Sequence, residues 1–247
     1  MRRVRAYRVS SLVIRHRNLG EADRIVTLYT RERGKLSAVA KGVKRARSKL
    51  AGGTQLFCHA QMQLAAGRSL EIVTQVQPVD VFYQLRRDMR RYAHASYVAE
   101  LLDSFVDDES PDPPLFELVL ATLRGLDNGG DPPTLVRGFE LKVLARLGYG
   151  PELTNCVICS AGIGAGKAGF SVAQGGTMCG RCAHAHGAAA LAPAALRAMR
   201  EMVELPPEEL AKRRLAKAVG EELERVLRPF VDYHLARPLR SAEFLGG

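Results

Sequence analysis

Four of the five cysteines in this chain form two pairs whose spacing suits a metal site. Cys156 and Cys159 make one Cys-x-x-Cys pair, and Cys179 and Cys182 make the other. Two cysteines three positions apart can both point into one tight turn, and two such turns facing each other supply tetrahedral sulfur ligation. The sequence therefore predicts one Zn²⁺ per chain. Four thiolates leave no position for substrate water, so this zinc would be structural rather than catalytic.

Two histidines and two other forms of thiol chemistry compete with this interpretation. His184 and His186 follow the second pair closely, but solvated surface histidines are the better explanation, because four thiolates already complete the shell. The thiols could also be reduced and unliganded, as in a vestigial site, or could form a redox dithiol. The glycine-rich residues 162–176 contain too few apolar side chains to fold alone, which favours a metal that stabilises the segment.

Positive charge is the second chemical feature, and it is concentrated near the amino terminus. Residues 1–50 hold 15 of the 36 Lys and Arg residues but only 3 of the 26 acidic residues. A local surplus of this kind attracts polyanions and displaces counterions from nucleic acid on binding. The nucleic-acid-binding candidates are Arg15, Arg17, Arg24, Lys35, Lys41, Lys44, Arg45, Arg47 and Lys49.

The densest run of cations spans residues 41–49, in a glycine-flanked connection between two predicted strands. A mobile loop with five cations can follow a phosphate backbone without fixed contacts to bases, although a merely solvated loop is the alternative. Tyr7, Tyr29 and Phe57 are the aromatic residues of the first eighty. Stacking platforms are therefore scarce, and we expect phosphate contacts, weak sequence selectivity and strong dependence on salt.

Catalytic motifs are weak or incomplete. The sequence at 161–168 lacks the first glycine and the final Ser or Thr of a phosphate-binding loop. Cys58 and His59 are neighbours in a predicted strand, where adjacent side chains point to opposite faces, so we expect a buried cysteine rather than a nucleophile with its base. No Ser/His/Asp order or paired-carboxylate motif stands out, and we do not expect an enzyme.

The first eighty residues have the composition of a small closed β-barrel. Segments rich in Val, Ile, Leu, Thr and Tyr alternate with turn residues. The predicted strands cover residues 6–15, 24–30, 35–43, 55–66 and 69–77. Closure would remove the edges that an open sheet of this size exposes.

Helical spacing of apolar residues begins after Pro78. The predicted helices cover residues 81–106, 115–126, 134–147, 193–205 and 208–235, with a candidate kink at Pro229. We therefore predict an α+β multidomain protein: a barrel (residues 1–80), a helical domain (81–150 and 190–247) and an inserted cysteine motif (151–189). No segment approaches the roughly 18 apolar residues of a membrane span, so we expect a cytoplasmic protein.

With these segments placed, the chain resembles the RecO family of bacterial DNA repair proteins. The resemblance rests on residues 19–30, Leu-Gly-Glu-Ala-Asp-Arg-Ile-Val-Thr-Leu-Tyr-Thr, and continues through 34–43 to 48–50. Later stretches agree in order, at 147–153 before the first cysteine pair and at 239–245 near the carboxyl end. The resemblance spans nearly the whole chain.

This resemblance implies an amino-terminal five-stranded OB-fold barrel, an α-helical domain and a zinc-binding insertion held by the four cysteines. It implies a recombination mediator that binds single- and double-stranded DNA, anneals complementary strands and engages the C-terminal tail of the single-strand binding protein SSB. RecR, with RecF, would be its partners in loading RecA, in the nucleoid region of the cytoplasm. Ser160 stands where many members have glycine.

The residues alone leave two other functions open. One is an RNA-binding OB protein with a zinc ribbon, in which contacts to the 2′-hydroxyl would give a preference for RNA. The other is a non-catalytic interaction scaffold whose helical domain recruits partners. A nuclease is disfavoured, because the basic region lacks the clustered carboxylates that would hold catalytic metal ions.

Overall fold

The structure is a computed structural model that describes residues 6–164, 166–235 and 238–244. Ala165 of the glycine-rich run and Leu245 of the carboxyl-terminal stretch lie outside the described residues. The chain divides into two compact units, one reaching to Asp127 and including the segment from Ser241, the other running from Asn128 to Arg240. This division groups the first two helices with the barrel, and the three domain boundaries derived from sequence stay a prediction.

Five strands close into a barrel in the first unit. They are β1 (Ala6–Leu19), β2 (Asp23–Thr30), β3 (Gly34–Ala40), β4 (His59–Ala65) and β5 (Glu71–Asp80). The strand order is β1-β2-β3-β5-β4, and the sheet closes because β1 also pairs with β4, while β3 pairs in parallel with β5. The predicted five-stranded OB-fold barrel is confirmed.

Alternation along the strands fills the barrel with small and branched side chains. Val26 and Leu28 of β2 and Ala38 of β3 are fully buried in its core, and buried and half-buried residues alternate along β3. A bulge in β1 after Val13 resets its alternation and places Arg15 opposite Thr27 on the outer surface. The bulge therefore helps to put cations of β1 outside the barrel.

Two α-helices and a short 3₁₀ helix complete the first unit. They are α1 (Met89–Phe105), α2 (Pro113–Asp127) and the 3₁₀ helix Ser241–Phe244. The predicted start of the first helix at residue 81 is wrong, because Phe82 is buried with a φ of 45°, outside the helical range. The helix begins instead after Asp88, whose side chain accepts hydrogen bonds from two amides of the first turn.

The second unit combines helices with a three-stranded sheet of order β7-β6-β8. Its elements are α3 (Pro132–Arg146), β6 (Ala168–Ser171), β7 (Gly176–Cys179), α4 (Gly180–His186), β8 (Ala189–Leu191), α5 (Pro193–Glu204), α6 (Pro207–Leu210) and α7 (Lys217–His234). The prediction of one helix over residues 208–235 is wrong, because residues 211–216 interrupt it. Within this interruption the Leu215 amide donates to Thr134 Oγ1 at 3.2 Å, a bond that replaces a helical one.

Among the helices of the described residues, none combines the length and apolar character needed to cross a membrane.

Candidate metal centre and nucleic-acid interface

The four paired cysteines meet at one point of the second unit. The sulfur atoms of Cys156, Cys159, Cys179 and Cys182 all lie within 4.8 Å of one another. Cys156 and Cys182 are buried, Cys159 is exposed and Cys179 is half-buried. Four sulfur donors at this separation can hold a metal ion, and the predicted grouping of the two pairs is confirmed.

Local hydrogen bonds explain how two distant pairs come together. The Cys156 amide donates to Ala161 O at 2.8 Å, and the Ser160 amide donates to Cys156 O at 2.9 Å, which closes a tight turn around the first pair. The Val157 amide then donates to Thr177 O at 3.0 Å, which fastens that turn to β7. β7 ends at the third cysteine and α4 follows at once, so the second pair faces the first.

Crowding of the four thiols splits their pKa values. Burial raises the pKa of Cys156, but hydrogen bonds from backbone amides, including those of Cys159 and Cys179, outweigh burial and lower it to about 6. The Cys182 thiol hydrogen-bonds with Cys179, and together with burial this raises the pKa of Cys182 to about 12. Unliganded thiols thus share protons unequally, whereas a bound cation favours the thiolate form of each.

The two neighbouring histidines do not join the cluster. His184 and His186 lie on α4 with exposed side chains, and the cluster within the described residues contains cysteines alone. The expectation that they are surface histidines agrees with this placement.

The densest run of cations forms a separate surface on the first unit. We call residues 41–49, which follow β3, the basic loop. The side chains of Lys41, Lys44, Arg45, Arg47 and Lys49 are all exposed. No acidic side chain of the described residues forms an ion pair with any of them, so their charge is available to an external anion.

The basic loop is a compact series of turns rather than the flexible loop that its composition predicted. The Gly42 amide donates to Asp23 Oδ1 at 2.7 Å, and the Lys44 amide donates to Ala22 O at 3.0 Å. Val43 is buried between these two anchors, and Gly42 has a φ of 63°, which glycine adopts without strain. The cations are therefore presented on a fixed backbone.

Two of the predicted strand cations are engaged within the protein. The Lys35 ammonium lies 3.4 Å from Asp103 and 3.5 Å from Asp108, and its side chain is only 15% exposed. Arg15 lies 3.5 Å from the same Asp103, but its side chain remains 61% exposed. Lys35 therefore sits apart from the exposed cations, while Arg15 remains accessible among them.

The other two strand cations lie near the turn between β1 and β2. Arg17 is exposed near the end of β1, and it lines a cleft of about 80 Å³ together with Arg15, Thr27 and Ser37. Arg24 is half-buried and donates to Thr54 O at 3.3 Å. One exposed face of the barrel thus carries Arg15 and Arg17.

A network of three side chains in the first unit was not predicted from the sequence. The Cys58 thiol is buried, and burial raises its pKa to about 11, as expected of an unreactive cysteine. His59 instead hydrogen-bonds with Ser10 at 2.9 Å and Asp80 at 2.8 Å. These three residues come from three different strands. Only the register in which those strands pair could have shown that the three side chains meet.

Two family models together match nearly all of the chain. The model "Recombination protein O N terminal" matches residues 1–82, and "Recombination protein O C terminal" matches residues 86–243.

Curated proteins named DNA repair protein RecO are similar over almost their full lengths. The protein from Roseiflexus sp. (strain RS-1) is 38% identical over 244 residues, which cover 98% of this chain and 86% of that protein. The protein from Symbiobacterium thermophilum is also 38% identical, with 97% of this chain and 96% of the relative covered. The protein from Heliobacterium modesticaldum is 40% identical, with 96% and 88% covered.

Proposed function

This chain belongs to the RecO family of DNA repair proteins, and from that premise we propose that it is a recombination mediator. It binds single- and double-stranded DNA, anneals complementary strands, and acts with RecR, and with RecF, to load RecA onto strands coated by SSB. The C-terminal tail of SSB is its second protein partner. It works in the cytoplasm, in contact with the nucleoid, and without covalent chemistry of its own.

The observation that carries this proposal is the set of five exposed cations on the basic loop. Each lacks an acidic partner within the described residues, so an approaching phosphate chain meets no competing carboxylate there. Neutralising phosphates lowers the repulsion that keeps two strands apart, while base pairing supplies the choice of sequence. Annealing therefore follows from charge neutralisation and proximity.

We propose that the metal held by the cysteine cluster is a structural Zn²⁺, one per chain. Cys156, Cys159, Cys179 and Cys182 supply four sulfur donors, a set typical of closed zinc sites. When bound, zinc would join the turn after α3 to the beginning of α4. The three strands nearby are only three or four residues long, so this part of the unit depends on the ion for its stability.

Strand annealing with SSB-coated oligonucleotides tests this proposal most directly. Two complementary strands, one of them labelled, are coated with SSB and mixed with the full chain, with and without RecR. We expect faster annealing with the protein than without it, and weaker binding as salt rises. The proposal fails if the folded, metal-loaded protein does not bind oligonucleotides at modest ionic strength.

A comparison of matched DNA and RNA strands separates this proposal from an RNA-binding function. An RNA-binding protein would contact 2′-hydroxyl groups and bind RNA clearly more tightly than DNA. We expect similar or tighter binding of DNA. A strong preference for RNA would replace the proposed function with the alternative.

A further inference from the structure

Residues 83–91 form a second group of cations on the first unit, distinct from those assigned above. We call them the arginine segment; it contains four arginines and one acidic residue, Asp88. Arg86, Arg87 and Arg90 are exposed. Tyr83 is 61% exposed, so the segment combines guanidinium groups with an accessible aromatic ring. Cations and rings together are typical of surfaces that bind single strands.

The backbone of the arginine segment is fixed rather than loose. Phe82, which precedes it, and Leu85 within it are both buried. The Leu85 amide donates to Asp127 Oδ1 at 2.9 Å, and the Arg87 amide donates to Gln84 O at 3.1 Å. These anchors turn the side chains between them outward.

Two of the arginines carry charge that the unit itself does not neutralise. Asp88, the acid of the segment, pairs with Arg91 at 3.2 Å. The Arg87 guanidinium lies over the Tyr83 ring, 5.4 Å from its centroid. Within the described part of the chain, neither Arg87 nor Arg90 pairs with an acidic side chain. Both are therefore available to an external anion.

The arginine segment adjoins the connection that carries the basic loop. Arg86 donates to Leu56 O at 3.3 Å, and the rings of Tyr92 and Phe57 meet at 5.3 Å. Leu56 and Phe57 close the same β3–β4 connection whose first half is the basic loop. The connection is compact, since Thr54 Oγ1 donates to Leu50 O at 2.9 Å. Two cationic surfaces thus flank one short stretch of chain.

We propose that the arginine segment is a second nucleic-acid contact, which holds a single strand separately from the strand on the basic loop. Arg87 and Arg90 bind phosphates, and Tyr83 stacks on an unpaired base. This inference rests on the proposed function and extends it, because annealing needs two strands held at once. Neighbouring surfaces that each bind one strand would bring complementary bases together.

The test uses paired variants of the full chain. Arg87→Ala with Arg90→Ala removes the two cations that bind phosphates, and Tyr83→Ala removes the stacking ring while Tyr83→Phe keeps it. The matched control is Arg197→Ala with Arg213→Ala, which removes two exposed arginines of the second unit. Binding of a fluorescent single strand is measured by anisotropy at several salt concentrations, and annealing of naked complementary strands is followed in parallel.

For the strand held at the arginine segment, we expect the double arginine variant to lower the slope of log affinity against log salt by about 1.4, or about 0.7 for each phosphate that the protein no longer neutralises. Its annealing rate should fall further than its affinity for one strand, because the basic loop still holds a strand. Tyr83→Ala should weaken binding of the strand at the arginine segment about tenfold, and Tyr83→Phe should bind that strand normally. The control variant should match the wild type in both assays.

Other outcomes separate this inference from the function on which it rests. If the wild type binds no DNA, the proposed function itself fails. If the wild type binds and anneals DNA but the arginine and tyrosine variants do so equally well, only the inference is overturned. It is also overturned if those variants keep DNA binding but lose binding of a labelled peptide rich in Asp and Phe, since the surface then serves an acidic peptide.

Discussion

The imidazole Nδ1 of His59 lies 2.8 Å from the Asp80 carboxylate, and its Nε2 lies 2.9 Å from Ser10 Oγ. This is the order of groups in a catalytic triad. The Ser10 amide, however, donates to Glu32 Oε2 at 2.9 Å, so this amide is already engaged and is not free to stabilise an oxyanion. The His59 ring is also buried against Phe116. The network joins β1, β4 and β5, and we interpret it as structural.

Substitutions in this network should change the free energy of unfolding and should not affect any hydrolytic activity. Ser10→Ala removes one hydrogen bond and should lower the free energy of unfolding by about 1 kcal/mol. His59→Ala removes a buried ring and leaves its partners unsatisfied, for a loss of about 3 kcal/mol. Urea denaturation followed by circular dichroism measures both. Hydrolysis of an activated ester by the wild type that disappears in Ser10→Ala would contradict the structural role.

The Asp80 carboxylate should make the first unit sensitive to acid. Burial alone raises the pKa of Asp80, but hydrogen bonds from Arg124 and His59 outweigh burial and hold the pKa below its ordinary value. As pH falls, Asp80 therefore takes up a proton in the unfolded chain at a higher pH than in the folded protein. Its stabilisation of the fold is present above about pH 4 and is lost as pH falls through the lowered pKa. Asp80→Asn should be less stable than the wild type at pH 7, and the difference should narrow below about pH 4.

The exposed carboxylate Asp107 provides the matched control for this measurement. Asp107→Asn removes one exposed carboxylate of the same unit and so controls for the loss of a negative charge by itself. A difference between Asp80→Asn and the wild type that stays constant from neutral pH to about pH 3 would show that the charge of Asp80 does not stabilise the fold.

Features that depend on a few neighbouring residues could be predicted from the sequence. The five segments rich in Val, Ile, Leu, Thr and Tyr, separated by turn residues, are visible in the sequence, and they led to the barrel. The cysteine cluster followed from two three-residue spacings, because each spacing by itself requires a turn. In both cases the local sequence determines the local structure, a strand or a turn.

Features set by contacts between distant segments could not be predicted. Lys35 looked like its exposed neighbours, because nothing in the local sequence reveals Asp103 beside it. The Ser10–His59–Asp80 network depends on the registers of two strand pairs. The positive charge of the arginine segment was not apparent from the sequence, because acidic residues elsewhere balance it when net charge is summed over residues 51–247.

Charge reversal on the basic loop should weaken DNA binding without unfolding the protein. Lys44→Glu, Arg45→Glu and Arg47→Glu together should reduce affinity to a similar degree for all sequences and lower the salt slope by about 2. Their side chains are exposed and unpaired within the described chain, so the free energy of unfolding should change little. Lys35→Met should have the opposite pattern of effects. It should lower the free energy of unfolding of the first unit by about 2 kcal/mol, while the folded protein binds DNA normally. Normal binding by the triple variant would remove the basic loop from the interface.

Loss of one cysteine of the cluster should release the metal and loosen the second unit. Cys156→Ser replaces a buried sulfur donor, and we expect well under one zinc per chain by elemental analysis. Faster proteolysis of residues 152–189 should accompany the loss, because the short strands there depend on the metal. Cys58→Ser is the control, since Cys58 lies in the other unit and should leave the zinc content unchanged. Full zinc occupancy in Cys156→Ser would place the metal elsewhere.

The turn after Cys159 should respond to the side chain at position 160. Ser160 has a φ of 58°, a left-handed conformation that is strained by about 1 kcal/mol for residues other than glycine. Ser160→Gly should relieve that strain, partly offset by the greater freedom of glycine in the unfolded chain, and leave zinc affinity equal or slightly higher. Ser160→Val places a β-branched residue in the same conformation and should lower zinc affinity about tenfold, because metal binding and folding of this turn are coupled. Competition with a fluorescent zinc chelator measures both variants, and equal affinity in Ser160→Val would show that the turn adapts without strain.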